Sequence, residues 1–486
     1  MAHAASVRTA TGGAQHGPVA TDYLALFNQR FGRGVTALNN AAVPVLILNR
    51  PGSFKVSYEK FNGKNWSAVP LPGGEIRFCQ ALGITRADLR GPVYGDYVQF
   101  AAMLRHGLRD GATPDAGFVA PVPGYIAGRF MQEPWKYKPN PWIEIWLRKQ
   151  KPAFRVLVAA SHRPKFFIPL LPIHAGGPNS ISTVSNLDRG TGEVQAMCED
   201  LSARAMMELS EKHIRRCRRD LLAAHRFFIL MTREHTELAI LAGFSLAYEV
   251  MDAERTLAAS GQLSATSARR FLKEIQSLPA PVSLAESNDT IGRWQLLSTL
   301  EFLAKHPSIR AKVIQNGLWP KIAQKWTSRQ YLAAIPAFND LVNRMVQIDR
   351  INNPTRQIQR LSAMLRMWQK SPDSYQNAFA ALHSGRVNAY AVQEIDAFAA
   401  DSRVTDICLA IAAFKSAHGH FPASLNPLAP TYFVRLPRNP FTGKPFQYAA
   451  SSTKCRITSY ENFPPTVAVG INLFPLPPLI VRMHAR

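Results

Sequence analysis

The chain has 486 residues, of which 47% are hydrophobic and 19% are charged, and this composition excludes an intrinsically disordered protein. At roughly 100–200 residues per domain, the length predicts about two to four folded units. The formal net charge of +24 at pH 7 predicts attraction to nucleic acid, anionic lipid or acidic protein. Lysines and arginines occur in nearly every segment, so the charge alone does not select among these partners.

Neither the N-terminus nor the cysteines indicate export. Residues 1–18 are small and polar, lack the apolar core of a signal peptide, and are predicted to be a disordered leader. The cysteines are far apart and form no C-x-x-C pair, which is typical of a reducing compartment. They are Cys79, Cys198, Cys217, Cys408 and Cys455. No uninterrupted apolar run reaches the roughly 18 residues of a membrane span. The sequence predicts a cytoplasmic protein without an integral membrane segment, and leaves association with the envelope open.

Residues 19–180 are predicted to form an irregular α+β region. Asp22 stands at the N-cap position of a short amphipathic helix. A proline interrupts the apolar segment 41–48, which predicts a short or kinked element. Residues 54–58 alternate like a strand. The basic turn at Arg163 is predicted to cap the helix before it.

Residues 193–400 are predicted to form an α-helical array. One long helix is expected from about residue 193 to 232, because apolar residues recur along it at helical spacing. These residues are Ile214, Cys217, Leu221, Ala224 and Phe228. The next helix is apolar on most sides, and Gly243 is small enough for a neighbouring helix to approach closely. Helices of hairpin size follow, and the region resembles a solenoid without a strict repeat. The expected breaks are Pro320, Pro336, Pro354 and Pro372.

The densest group of charges lies on the predicted long helix. Four arginines fall within five residues, and a fifth follows about two turns later; they are Arg215, Arg216, Arg218, Arg219 and Arg226. Four neighbouring positions span too wide an arc for one stripe, so these side chains must flank the apolar face on both sides. Two interpretations remain open: a solvated helix flank, or a site for an anion or an acidic partner.

No reactive constellation is visible in the sequence. The G-x-S-x-G, H-E-x-x-H and P-loop motifs are absent. The closest approach to a metal site is the pair His418 and His420, but no Cys, Asp or Glu stands at ligand spacing around it. We therefore predict a pair of turn histidines, no metal, no cofactor and no catalytic residue. An enzyme of unrecognised fold remains open.

Residues 401–462 are predicted to form a small α+β module, followed by a proline-rich tail at 463–486. A helix is expected to end at a Gly-His-Phe-Pro turn, after which prolines and aromatics lead the chain into strands. The residues predicted to shape the turns are Gly419, Phe421, Pro422, Pro440 and Gly443.

Most of the chain resembles a group of large uncharacterised proteins of planctomycete bacteria. The segments that carry the resemblance are Asp22-Tyr23, Gly34-Val35-Thr36, Asn39-Asn40-Ala41-Ala42, Arg163-Pro164 and Asp220-Leu221-Leu222-Ala223-Ala224-His225-Arg226. The resemblance implies no particular chemistry.

Residues 404–460 resemble the soluble domain of the major pseudopilins of type II secretion. The matching segments are Ala412-Ala413-Phe414-Lys415, His418-Gly419-His420-Phe421-Pro422, Leu436-Pro437 and Asn439-Pro440-Phe441-Thr442-Gly443-Lys444-Pro445-Phe446-Gln447-Tyr448. Pseudopilins also have a hydrophobic N-terminal helix and an acidic calcium loop. Here no such helix precedes the module, and Glu461 is the only carboxylate residue after Asp406. We predict no calcium site, because Ca²⁺ takes about six to eight oxygen ligands.

Together these observations predict a mainly α protein: a helical-hairpin array between an irregular α+β N-terminal region and a small C-terminal α+β module. The first hypothesis for its function is a non-catalytic scaffold or protein-interaction protein with a protein partner. One alternative is an accessory of an envelope secretion or pseudopilus-like apparatus. The other is binding of a polyanion such as nucleic acid through the basic helix. The oligomeric state stays open.

Overall fold

The computed structural model shows a mainly α protein with a small C-terminal α+β module, as predicted. It describes residues 22–49, 57–61, 66–70, 74–85, 87–90, 92–94, 130–135, 141–170, 191–233, 237–307, 310, 320–351, 353–383, 387–458 and 480–484. The longest stretches outside the described residues are 1–21, which includes the predicted leader, 95–129, 171–190 and 459–479.

The N-terminal third combines short helices with one hairpin. Its helices are α1 (Tyr23–Phe31), α2 (Ala42–Leu48), α3 (Gly74–Leu82), α4 (Pro141–Lys149) and α5 (Lys151–Ala160). The strands β1 (Ser57–Phe61) and β2 (Trp66–Pro70) pair antiparallel. Residues 57 and 58 of the strand predicted at 54–58 belong to β1, and residues 54–56 lie outside the described residues.

Helices dominate the described residues of the rest of the chain. They are α6 (Thr191–Ser210), α7 (Ile214–Thr232), α8 (Glu237–Ala259), α9 (Ala265–Gln276), α10 (Leu284–Ser287), α11 (Arg293–Lys305), α12 (Ser328–Asp349), α13 (Pro354–Gln369), α14 (Ser374–His383) and α15 (Val387–His418). A π-helical turn, Asn288–Gly292, joins α10 to α11. None of the described helices combines the length and the apolar composition needed to cross a membrane.

Side-chain caps explain where several helices begin. Asp22 accepts a hydrogen bond from the amide of Ala25 at the start of α1. Thr327 and Gln330 form a reciprocal capping box at the start of α12, which satisfies two otherwise unpaired helix-end amides.

Two of the predicted helix boundaries are wrong. The single helix expected from residue 193 to 232 is two helices, α6 and α7. Lys212, which lies between them, has a φ of 64° and interrupts the helical conformation. A lysine rarely adopts this left-handed conformation, so the break was not predictable from the residue type. Pro336, expected to separate helices, lies inside α12.

The larger hydrophobic core is built mainly on α6–α9 and α15. The predicted apolar stripe of α7 is confirmed, since Cys217, Leu221 and Phe228 are fully buried in this core. The close helix approach predicted at Gly243 is also present. A Cβ there would lie 2.7 Å from Cγ2 of Thr232.

A second hydrophobic core joins α1 to α11–α14. At its centre, Trp368 is fully buried and meets the ring of Phe379 edge-on, with 5.5 Å between the ring centroids. The predicted array 193–400 therefore supplies helices to two cores. A small cluster formed by Ile358, Ala397, Ala400 and Phe441 links α13, α15 and the C-terminal module.

Polar side chains tie the N-terminal segment to the chain after α5. The buried Asn40 amide donates to the carbonyl of Phe167 at 2.7 Å, and its oxygen accepts from the Phe167 amide at 3.0 Å. The guanidinium of Arg163 donates to the carbonyls of Ala37 and Asn40. Arg163 therefore links two chain segments, which differs from the predicted role of capping α5.

Several polar and charged side chains inside the larger core are paired. Arg204 of α6 donates to Asp220 of α7 at 2.7 Å, and the guanidinium also lies 4.2 Å from the ring centre of Phe154. His225 and Glu254 join α7 to α8 at 2.8 Å. Because such pairs are costly to break in a water-poor interior, they fix how the helices pack.

The C-terminal module begins on a helix that it shares with the larger core. Residue 401, its predicted start, lies within α15. After α15 the chain forms a three-stranded antiparallel sheet of β3 (Gln447–Ala450), β4 (Lys454–Thr458) and β5 (Ile480–His484), in that order. The sequence did not predict β5, which lies in the segment expected to be a proline-rich tail. The strand pairs along its whole length with β4.

Candidate functional site

The C-terminal module is strongly cationic. From residue 407 to the end, the sequence contains eight lysines and arginines and a single carboxylate residue, Glu461. The two carboxylates of α15 nearest the module, Asp401 and Asp406, are drawn into the protein: Asp401 is 5% exposed and pairs with Arg255, and one oxygen of Asp406 is fully covered. Within the described residues 407–458 and 480–484, the module has seven lysines and arginines and no Asp or Glu.

The sheet has one apolar face and one cationic face. Residues on a strand alternate between faces, and directly paired residues share a face. Cys455, Ile457 and Met483 are buried against the larger core. On β4 and β5, the opposite face presents four exposed side chains in two cross-strand pairs. These pairs are Arg456 with Arg482 and Lys454 with His484.

The pairing of Arg456 with Arg482 is unfavourable for the fold. Like charges directly opposite on neighbouring strands repel and destabilise a sheet. Neither guanidinium has a hydrogen bond or ion pair with any described residue. Two unsatisfied cations in register form a preformed site for negatively charged groups, since guanidinium groups bind carboxylate and phosphate oxygens well. We call the outward surface formed by Lys454, Arg456, Arg482 and His484 the cationic face.

The predicted turn residues shape the route from α15 into the sheet. Gly419 ends α15 with a φ of 78°, and Gly443 has a φ of 67°. Phe421 is 5% exposed, and the carbonyl of Pro422 accepts a hydrogen bond from the hydroxyl of Tyr448 at 2.8 Å. Pro440 lies in the turn in which the amide of Gly443 bonds to the carbonyl of Asn439. These contacts hold β3 against the end of α15.

A cleft of about 690 Å³ lies beside β3. Leu425, Leu436, Phe446 and Tyr448 supply much of its apolar lining, and Arg435 is one of its two cations. None of the described lining residues is acidic. The neighbouring Val434 is 93% exposed. The cleft therefore combines apolar surface with positive charge.

The two cations of the cleft differ in their surroundings. Arg438 donates to the carbonyl of Gly443 at 3.1 Å, and its own carbonyl accepts from Arg403. Arg435 is exposed and has no hydrogen bond or ion pair with a described residue. Arg435 is therefore the guanidinium in the cleft that is free to bind a ligand.

The arginine helix, predicted as a possible anion site, is largely engaged within the chain. Arg216 lies 3.6 Å from Glu208, and Arg219 pairs with Asp220 at 2.9 Å. Arg218 contacts Ser267 at 3.4 Å. Arg226 lies 3.1 Å from Nε2 of His162. Of the five arginines, Arg215 alone has no described partner. Binding of nucleic acid by this helix stays a prediction.

The structure places the two turn histidines at the end of α15. The ring of His418 packs on Phe414 at 4.3 Å, and Nδ1 of His420 lies 2.9 Å from the carbonyl of Phe421. Elsewhere, Glu208, Glu211 and His213 bring three ligand-type atoms within 4.8 Å of one another. Arg216 also reaches Glu208, and Nδ1 of His213 lies 2.8 Å from it. These contacts close the turn between α6 and α7.

Carboxylates converge without full pairing between α8 and α15. Glu254 has one oxygen on His225, and its other oxygen is buried without a described partner. Oδ1 of Asp406 is in the same state. Burial, and then the nearby negative charge of Glu254, raise the pKa of Asp406 to about 7. Glu254 contacts α7 through His225, and Asp406 contacts α9 through Gln276.

We expect Asp406→Asn to stabilise the protein at pH 8. The folded pKa of Asp406 lies above its usual value of 3.8, so the folded state holds this proton between about pH 4 and 7, where the unfolded state has lost it. The wild type therefore loses stability as the pH rises through this window. The variant should gain on the order of 2 kcal/mol at pH 8 and less at pH 5. Urea unfolding at both pH values tests this, with Asp340→Asn as an exposed control.

Comparisons of the chain with protein-family models, curated proteins and solved structures found no match. The resemblances to planctomycete proteins and to pseudopilins therefore stay predictions. The cationic face was missed in the sequence because it depends on β5. A signal for it was present: alternation in Lys454-Cys455-Arg456-Ile457 and in Val481-Arg482-Met483-His484 places the basic residues on one face of each strand.

Proposed function

We propose that the protein is a non-catalytic scaffold that binds an acidic protein partner through the cationic face of its C-terminal sheet. The observation that carries this proposal is the cross-strand pair of Arg456 with Arg482. Directly opposed arginines without acidic neighbours cost the sheet stability. A partner that supplies carboxylates between them removes this cost and gains charge-assisted hydrogen bonds.

A protein partner is favoured over nucleic acid by the shape and size of the cationic face. It occupies a short three-stranded sheet in which β3 and β4 have four and five residues. Nucleic-acid surfaces commonly add aromatic side chains on which bases stack. The outward positions of β3 next to β4 are Gln447, opposite Thr458, and Ala449, opposite Arg456, and neither is aromatic.

The single substitution Arg482→Glu separates a binding role from a structural one. It replaces the repulsion between Arg456 and residue 482 with attraction. The free energy of unfolding of the variant should therefore be about 0.2–1 kcal/mol higher than that of the wild type. Capture of the partner should fall nonetheless. The test is affinity purification of the tagged full-length protein from nuclease-treated native lysate at low salt, combined with urea unfolding of both proteins.

The triple variant Lys454→Glu/Arg456→Glu/Arg482→Glu should abolish capture. The matched control reverses three exposed arginines on α12 and α13, Arg344, Arg360 and Arg366, and should retain the partner. Loss of capture in a variant of Arg215, Arg216 and Arg219 alone would assign the interaction to the arginine helix and contradict the proposal. Capture that disappears with nuclease treatment would show that nucleic acid carries the interaction.

An accessory of an envelope secretion apparatus remains the second candidate. In its favour, the long helix α15 leads through a Gly-aromatic-Pro turn into an antiparallel sheet, an arrangement in keeping with the resemblance to pseudopilin soluble domains. Cell fractionation tests it. The protein should co-sediment with envelope secretion components, and a protein found wholly apart from them would end this idea.

A further inference from the structure

The outer edge of β3 has no strand partner among the described residues, and an isolated bridge joins Arg438 to Pro445 just before the strand. The sheet order β3-β4-β5 places β3 at an edge, and no described strand pairs with its outer side. Next to β3, the amide of Ser451 donates to the carbonyl of Lys454 at 2.7 Å. Hydrogen bonding alternates along an antiparallel pair. The backbone groups of Gln447 and Ala449 therefore face β4, and those of Tyr448 and Ala450 face away from it.

The cleft adjoins this edge. Phe446 and Tyr448 line the cleft, and Tyr448 belongs to β3. A peptide that paired with the β3 edge would thus run along the cleft, because paired strands lie about 4.8 Å apart. Alternate side chains of that peptide would point to the two sides of the extended sheet.

We infer that the β3 edge and the adjoining cleft bind an extended acidic segment of the partner protein, which adds to the sheet as a fourth strand. This inference rests on the proposed function and names the form in which the partner is recognised. The apolar lining favours aliphatic side chains at alternate positions, while Arg435 favours carboxylates. Main-chain hydrogen bonds supply affinity in this mode of recognition, and the side-chain pockets supply specificity.

Charge disfavours a basic segment as the occupant of the cleft. Arg435 and Arg438 line the cleft, and no described lining residue is acidic. Lys454 and Arg456 extend the same positive field across the neighbouring strand. A lysine-containing segment would meet only like charge in this part of the module, which opposes binding.

The test uses three synthetic eight-residue peptides and the full-length protein at low salt, with binding followed by fluorescence anisotropy. The first peptide alternates glutamate and valine, the second alternates lysine and valine, and the third is the first with alternate backbone nitrogens methylated. We expect the first to bind, the second to show no binding, and the third to bind roughly tenfold or more weakly because it loses hydrogen-bond donors.

The matched protein variants are Arg435→Glu and Arg344→Glu. Both arginines are exposed and have no described partner, so neither change should affect folding. Arg435→Glu should weaken the acidic peptide roughly tenfold, and Arg344→Glu should leave its affinity unchanged.

Equal binding of the methylated and unmethylated acidic peptides would overturn strand addition. Binding that ignores Arg435→Glu but is lost in the triple variant of the cationic face would also overturn it, while leaving the proposed function intact. If wild-type protein bound none of the peptides yet captured its partner through the cationic face, the inference would fail and the scaffold proposal would stand. If the wild-type protein neither bound the peptides nor captured a partner through the cationic face, the inference and the scaffold proposal would both fail.

Discussion

Replacing Arg255 with methionine is expected to destabilise the protein by about 3–5 kcal/mol. Arg255 is 5% exposed, and its guanidinium donates to Asp401 at 3.1 Å and to Thr405 at 2.9 Å. It also pairs with Asp252 in its own helix, α8. Methionine has a similar shape but no charge, so it would leave the Asp401 carboxylate buried without a partner. Urea unfolding of wild type and variant at pH 8 measures the loss.

A double variant separates the cost of an orphaned charge from the loss of packing. Arg255→Met/Asp401→Leu removes both buried charges and should recover most of the stability lost in the single variant. Asp252 is 43% exposed at its side chain, so water can solvate it in both variants. A double variant as unstable as the single one would show that packing around Arg255, and not its charge, holds α8 against α15.

Trp368→Ala is expected to cost about 3–5 kcal/mol by opening a cavity in the second hydrophobic core. The side chain is fully buried, and the rings of Trp368 and Phe379 pack edge-on. Amide hydrogen exchange should also quicken in α12–α14. Exchange in α7 and α8 should change less, because those helices belong to the larger core.

Trp368→Phe provides the matched control. The indole nitrogen is buried without a described hydrogen-bond partner, so replacing the indole removes a polar group whose burial is costly. This gain offsets part of the cost of the cavity, which is smaller than in Trp368→Ala. We therefore expect Trp368→Phe to lower the free energy of unfolding by about 1–2 kcal/mol. A loss below about 1 kcal/mol for Trp368→Ala would contradict the central place of this residue.

Helix content and burial were predictable because they depend on local periodicity. The spacing of Cys217, Leu221 and Phe228 identifies the buried face of α7, and Gly243 marks a close contact with α7. The break at Lys212 was not predictable, because nothing in its neighbourhood marks a left-handed residue. The division of the helices between two cores depends on contacts distant in sequence, which periodicity does not encode.

The candidate site depended even more on distant contacts. Alternation places Arg456 and Arg482 each on the outer face of a strand, but their register across β4 and β5 is visible only in the structure. The arginine helix was predicted as a possible anion site because most of its charges are close together in sequence. Structure assigns most of those charges to partners inside the chain, such as Glu208 and Asp220. The high local density of arginine therefore drew the prediction to α7, whereas Arg456 and Arg482, which have no described hydrogen-bond or ion-pair partner, lie on the cationic face.

Hydrogen exchange of the protein with and without its captured partner tests the central claim most directly. We predict that binding slows amide exchange in residues 447–458 and 480–484, and that this protection weakens as salt rises, because charge drives the association. Exchange in α7 should stay unchanged. Protection confined to α7, with the C-terminal sheet unaffected, would contradict the proposal that the cationic face binds the partner.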